Sequence, residues 1–542
     1  MNTHQRIALL QRRTAEDVAL LEAWLARDGA RAGVATRALA GVLSRAERGQ
    51  EVLRAALARP PVVGVVPADP RATEGFVGRL LERSARESRP QVTRHPRVLT
   101  TQLLARVGDG TAATALRLTA GAAPPPTDGH SVQLRLMSFT DAAYVLAQAA
   151  AWVWPEDLAR PLDLGALRQL YADVGRSIST ARTPGVSSRD IHALRERIEA
   201  AWPDAPFVRE LAAHGYWSDL ADVVGHLPAA ARISALSLLW GARPELTARA
   251  PHLKDALSRL GYAVEVSCTS DTLLGSGFAA PPLGTSSAMV RLGCAADDVV
   301  QTVGRLGHRS TVSRAALSVL VLEVVLPGAG PPLPRQPTAD LVVFPPVPVR
   351  DAPSRGARDG AIGPALVRGK ADVVLGAAIG TQDVTALVTV VGPATAGDDT
   401  LVEPIAAWID RTQGTTPEAR ESAPTGIFVV APASLAQHAS SPRDAAADAV
   451  AAAIVEGIGA DQAWPREWTP GEAFSNVHWY DDGGRSPVLE PSRPLRLDPT
   501  APEEAGAASR PAIVERRWPL SLARFAAEAH PARWASDGGI DA

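Results

Sequence analysis

Lysine is nearly missing from this 542-residue chain: Lys254 and Lys370 are the only two, and arginine carries the remaining positive charge. A GC-rich genome that favours Arg and Ala codons accounts for the bias most simply. It still has a chemical consequence, because any function that needs an ε-amine must use one of these two residues. Cysteine is equally scarce. Cys268 and Cys294 cannot build a disulfide framework or a four-thiolate zinc site, and they read as small packing residues. Neither sign of charge dominates, since Lys+Arg 55 against Asp+Glu 58 leaves −3. That balance gives no electrostatic footprint for nucleic acid and no polybasic excess for anionic lipid. The longest apolar stretches, near 142–154 and 315–326, fall short of the roughly 18–20 residues of a spanning helix, and Glu323 interrupts the second. The opening MNTHQRIALLQRRTAED has no apolar core ahead of a small-residue cleavage site, so a cytoplasmic location is expected. The eleven histidines form no H-x-x-x-H or H-E-x-x-H pair, and no G-x-S-x-G elbow occurs. No metal site is expected.

What remains is ample material for packed domains. The chain is 46% hydrophobic and 21% charged, and its length suggests about three or four domains. Residues 1–60 read as helical: Thr14 and Asp17 resemble a capping box, and Val18, Leu21 and Leu25 recur at helical spacing up to Gly29. The run VVGVV at 62–66, closed by prolines, fits a strand buried on both faces of a parallel sheet. Further strands are predicted at Val132–Met137, Ala263–Ser267, Leu341–Phe344, Thr385–Val391 and Ile427–Ala431. Helices are predicted at Gly363–Ala378, Leu401–Arg411 and Asp444–Ile458. The region Thr140–Leu260 has Leu, Ala and Trp at helical spacing and almost no strand pattern. The expected fold is therefore α/β: a P-loop-NTPase-like, mostly parallel sheet flanked by helices, with an N-terminal helical segment and a large all-helical insertion. Its expected parts are helices at 1–60, a first α/β part at 61–138, the helical insertion at 139–260, a mixed region at 261–335, a second α/β part at 336–480, and a Pro/Arg-rich tail with a short helix at 481–542.

A buried strand followed by a loop and a helix is where a phosphate-binding loop belongs. Such a loop needs glycines for its backbone, a lysine for phosphate charge and a Ser/Thr for Mg²⁺. The segment 62–81, VVGVVPADPRATEGFVGRLL, has the context without the chemistry. Pro67 and Pro70 stiffen it and remove N–H donors. Arg71, Ala72, Thr73 and Glu74 stand where Gly-Lys-Ser would end the loop, and Glu74 would set a carboxylate against phosphate. The only Gly-Lys pair, Gly369–Lys370, has the wrong spacing from Gly363, has Ala371 in place of the hydroxyl, and carries Pro364 and Leu366 in a context that suits a helix start.

Several segments resemble the SrfC-like putative bacterial virulence factor family, large proteins with a dynamin-like P-loop GTPase domain. The most specific are WPREWTPGEAFSNVHWY (464–480) and HGYWSDLADVVGHLPAAARISALSLLWG (214–241). ALRLTA (115–120), ADLVVFPP (339–346), VRGKADVVLG (367–376), WIDRTQGTTPEAR (408–420) and WASDGGI (534–540) follow in the same order. The resemblance implies that 62–81 occupies the phosphate-loop position and that Thr114 lies in a switch I-like segment. The metal motif would then read Val343–Phe344–Pro345–Pro346, and the base-reading motif Ala431–Pro432–Ala433–Ser434, each without its carboxylate. It also implies a longer helical region beyond the DGGI segment, absent here or encoded separately.

The expected protein is a degenerate, GTPase-like scaffold with no cofactor and no catalytic residues, acting through contacts with companion proteins of the same virulence-associated gene cluster. Trp464, Arg466, Glu467 and Trp468 are the interaction candidates, since Trp and Arg are enriched at interface hot spots; the simpler reading is that the two tryptophans close a hydrophobic joint between domains and that Arg466–Glu467 is a solvated or locally paired couple. The alternative is a working NTPase or dynamin-like GTPase with a non-standard site for GTP and Mg²⁺, using Arg71 or Lys370 on phosphate and Thr73 on the metal.

Overall fold

A computed structural model describes residues 12–21, 23–24, 27, 39, 41–51, 61–87, 94–119, 132–275, 281–294, 298–304, 307–327, 339–347, 358–380, 383–392, 401–421, 425–434, 455, 457–459, 462–480 and 490–491. The architecture is mixed α/β, a many-stranded sheet flanked by helices. The strands are β1 (Val62–Pro67), β2 (Ala115–Thr119), β3 (Val132–Leu136), β4 (Glu265–Cys268), β5 (Val299–Gly304), β6 (Arg309–Ser313), β7 (Val321–Pro327), β8 (Asp340–Val343), β9 (Ala386–Val390), β10 (Ile427–Pro432), β11 (Val477–Tyr480) and β12 (Glu490–Pro491). Two compact units share them. The parallel unit is Arg59–Pro124, Val325–Arg350 and Val374–Ala542; the helical unit is Met1–Ala58, Pro125–Val324 and Asp351–Val373.

In the parallel unit the strand order is β12-β11-β10-β9-β1-β8-β2. β1 pairs in parallel with both β8 and β9, and β9, β10 and β11 continue in parallel. β2 runs antiparallel to β8, and β12 antiparallel to β11. The central strands are apolar on both faces, as sheets covered on two sides must be; every residue of β9 and β10 is buried. Gly64 marks the tightest point. A Cβ there would lie 2.8 Å from Val384 Cγ1 and 2.9 Å from Phe344 Cε2, so only glycine lets these side chains close over β1. The helix Pro70–Glu87 packs on β1 and β9, and Arg94–Gly108 packs on that helix. At the start of β8, Arg117 of β2 meets Asp340 at 3.2 Å with both side chains buried.

The helical unit contains the antiparallel series β3-β4-β5-β6. Between β3 and β4 the chain is helical from Phe139 to Arg259 with short turns. Two of its helices open with capping boxes, Ser138 with Asp141 and Ser187 with Asp190, in which side chain and backbone satisfy each other's free N–H groups. The fully buried Tyr216, Trp217 and Trp240 form its core. Arg232, only 3% exposed, closes the 183–184 and 224 turns by donating from Nε to the Val224 carbonyl (2.9 Å), from NH1 to Pro184 (2.6 Å) and from NH2 to Thr183. The helix Arg358–Gly380 begins before the predicted Gly363. Pro364 therefore lies inside it and not at its start, as the sequence had suggested.

The Asp444–Ile458 helix falls mostly outside the described residues. The 328–338 connector, the Pro/Arg-rich tail and WASDGGI fall outside them as well, apart from β12.

Candidate functional site

In a doubly wound sheet, ligands settle beyond the carboxyl ends of the strands where the chain order reverses. Here that point is the end of β1, flanked by β8 on one side and β9 on the other. The connection from β1 to its helix is only Ala68 and Asp69. Asp69 N donates to the Val390 carbonyl (3.0 Å), which ties the turn to β9. Its carboxylate oxygen Oδ1 accepts from Ala72 N (3.0 Å), and its carbonyl accepts from both Thr73 N (3.0 Å) and Thr73 Oγ1 (2.8 Å). Asp69 is thus a helix N-cap, followed by Pro70 at the first helical position, where the missing N–H costs nothing. The free N–H groups and positive dipole end of such a helix are what would otherwise attract a phosphate. In this chain a buried carboxylate, 5% exposed, already holds that position.

The surroundings close on the same point. Gly392, just past β9, lies so near the Asp69 side chain that an added Cβ would come within 2.8 Å of Asp69 Cβ and closer still to the carboxyl group. Tyr480, at the end of β11, donates from its hydroxyl to the Ala72 carbonyl (3.1 Å) and packs its ring 5.6 Å from Phe76.

The positions singled out in the sequence are placed as follows. Pro67 ends β1 and is buried; Arg71 is exposed; Ala72 is half-buried. Thr73 is fully buried, with its hydroxyl turned back to the backbone. Glu74 is half-buried and faces Gly108, where a Cβ would come within 3.0 Å of the Glu74 Cβ. Thr114 is buried immediately before β2. At the end of β8, Val343, Phe344 and Pro345 are buried and Pro346 is half-buried, with Phe344 N donating to Val65 O at 2.9 Å. At the end of β10, Ala431 is buried opposite Trp479, and Ser434 is half-buried. Lys370 belongs to the helical unit and is 0% exposed in mid-helix; its Nζ donates to the Ser318 carbonyl at 2.5 Å. Burial holds its pKa well below the usual lysine value. Gly369 beside it permits close helix contact, since a Cβ there would be 2.7 Å from the Val145 carbonyl oxygen.

Both tryptophans pack inward, so they are not exposed interaction candidates. Trp464 and Trp468 are 4% and 6% exposed and meet edge to face with Phe474, the centroids of each lying 5.2 Å from the Phe474 ring. Arg420 lies 5.3 Å from the Trp468 centroid and donates to the carbonyls of Trp468 (2.8 Å) and Glu467 (2.9 Å). Two large apolar rings that can reach a third aromatic gain more by packing inward than by facing water. Only Arg466 and Glu467 of the quartet are exposed.

Asp69, Gly392 and Tyr480 were not singled out from the sequence. Asp69 left a local signal, the Asp-Pro pair directly before a helical pattern, which reads as N-cap and first helical residue. Tyr480 and Gly392 are distant in sequence and left none.

Among the described residues, no group of three or more His, Cys, Asp or Glu could hold a metal ion, and no helix is long and apolar enough to cross a membrane. The family model described as Putative bacterial virulence factor matches residues 103–509, most of the chain. The chain belongs to that family. No curated protein matches it. The matched region runs from the Arg94–Gly108 helix through β12, and leaves β1 and the Asp69 turn outside.

Proposed function

We propose that the parallel unit is a P-loop-GTPase-like framework of the SrfC-like, dynamin-related kind that has lost nucleotide chemistry, and that this virulence-factor-family protein works as a scaffold through protein contacts. The observation that carries the reading is the two-residue turn after β1, whose helix N-terminus is capped by Asp69. A phosphate would have to displace a buried carboxylate of like charge and would find neither a lysine nor a loop long enough to surround it. Each charge-assisted hydrogen bond to a phosphate contributes on the order of 1.5–3 kcal/mol, so losing several together removes useful affinity. The apolar ends of β8 and β10 support the same reading, because neither offers a carboxylate for Mg²⁺ or for a guanine edge.

Two measurements test this. Purified full-length protein should show no thermal shift and no saturable binding of fluorescent GDP, GTP or ATP with Mg²⁺. Affinity purification of the tagged protein from its own host should bring down products of neighbouring genes at a defined stoichiometry. Nucleotide binding that disappears on Arg71→Ala or Thr73→Ala would establish the working-NTPase alternative instead.

A further inference from the structure

The helical unit contains a cavity of about 590 Å³, widely open to solvent, between the short helix Ser270–Leu274 and the start of β5. That volume lies inside the range of roughly 300–1,000 Å³ typical of small-ligand sites. Arg314 lines it and is 7% exposed. Its Nε donates to Asp298 Oδ2 (2.8 Å), and its NH1 donates to the carbonyls of Thr272 (2.6 Å) and Pro281 (3.3 Å). A guanidinium has five N–H donors. The two on NH2 meet no acceptor among the described residues. Asp298 already balances the arginine charge, so a bare anion gains little here.

The remaining formal charge in the lining is Asp271. Its carboxylate is exposed and is not needed to cap the turn, because Thr269 Oγ1 already accepts from Thr272 N at 3.1 Å. Gln301 presents an exposed carboxamide, and Val299 is 63% exposed on the same strand. Together these groups ask for a cation opposite Asp271, a hydrogen-bond acceptor opposite Arg314, an amide partner for Gln301 and an apolar side chain over Val299.

We propose that this cavity binds a primary ammonium on the carbon next to a carbonyl, the chemistry shared by a peptide N-terminus and a free amino acid. The ammonium pairs with Asp271, the carbonyl oxygen accepts from Arg314, and the side chain covers Val299. The proposal stands apart from the nucleotide reading, which concerns the other unit.

Calorimetric titration of the full chain at millimolar ligand is the test, with leucinamide, leucyl-leucine, free leucine and N-acetyl-leucinamide as probes. Leucinamide should bind saturably, and the acetylated compound, which lacks the ammonium, should not. Asp271→Asn should weaken leucinamide by about tenfold or more, as loss of a charge-assisted hydrogen bond implies. Asp271 is exposed, so this variant should keep the wild-type unfolding profile; Gln301→Ala, also at an exposed position, should weaken binding by a smaller factor. Tighter binding of leucyl-leucine than of free leucine identifies a peptide N-terminus as the occupant, and the reverse order identifies the amino acid. No binding by any probe, equal binding of the acetylated compound, or leucinamide affinity unchanged in Asp271→Asn would overturn the proposal.

Discussion

Asp69 stabilises the start of its helix as an N-cap and at the same time fills the place where an anionic ligand would be drawn. Asp69→Ala should cost about 1 kcal/mol of stability, in the usual range for a lost cap, seen as a lower urea midpoint. It should not create nucleotide binding, since the short turn and the missing lysine remain. Lys370 gives a pH signature of its own. Its buried amine has a pKa well below the ordinary value, so the unfolded chain binds a proton that the folded chain does not. Stability attributable to Lys370 therefore rises with pH from that depressed value up to the unfolded value of about 10.4. Lys370→Met should stabilise the protein more at pH 7 than at pH 10, as compared by urea midpoints at the two pH values. His478 acts on the acid side. Burial lowers its pKa to about 4, so it stays neutral in the fold while the unfolded imidazole protonates first. Stability should fall as pH drops from about 6.5 to about 4, and His478→Gln should flatten that part of the profile.

Elements were legible in the sequence where local pattern and burial agreed. The apolar run at 62–66 is β1 and 427–431 lies within β10, because strands covered on both faces read as unbroken apolar runs; 132–137 contains β3, whose buried Val132, Leu134 and Leu136 alternate with Gln133 and Arg135. β5 and β6 were not legible as strands. Exposure alternates at Val299 and Gln301 and at Arg309 and Thr311, but residue type does not follow it: Val299 is apolar and exposed, Thr302 is polar and buried, so no hydrophobic alternation shows in the sequence. β7 was seen only as an apolar stretch, since periodicity cannot separate a short buried strand from a buried helix. The pairing of β2 with β8 is a long-range fact. It rests partly on Arg117 and Asp340, which are more than two hundred positions apart. Breaking this buried pair with Arg117→Ala should cost about 3–5 kcal/mol, whereas replacing both partners by apolar residues should cost far less; a double-mutant cycle by chemical denaturation separates the two. The 464–474 loop fits the same account. Its sequence allows the tryptophans an interface role but reads more simply as a hydrophobic joint, and their partners Phe474 and Arg420 become visible only when the fold brings residue 420 beside 468.

At the scale of the whole molecule, the family assignment and the α/β architecture are in place, and the proposal to be tested is that the parallel unit is a GTPase-like framework without nucleotide chemistry. Of the turn after β1, the sequence shows directly that lysine and a glycine-rich loop are lacking, while the Asp69 cap and its closeness to Gly392 became visible only with the turn geometry. The most direct measurement is equilibrium titration of the full-length protein with fluorescent GDP and GTP in the presence of Mg²⁺. The account predicts a flat signal to millimolar nucleotide, unchanged in Thr73→Ala. Saturable, Mg²⁺-dependent binding that Thr73→Ala abolishes would contradict it.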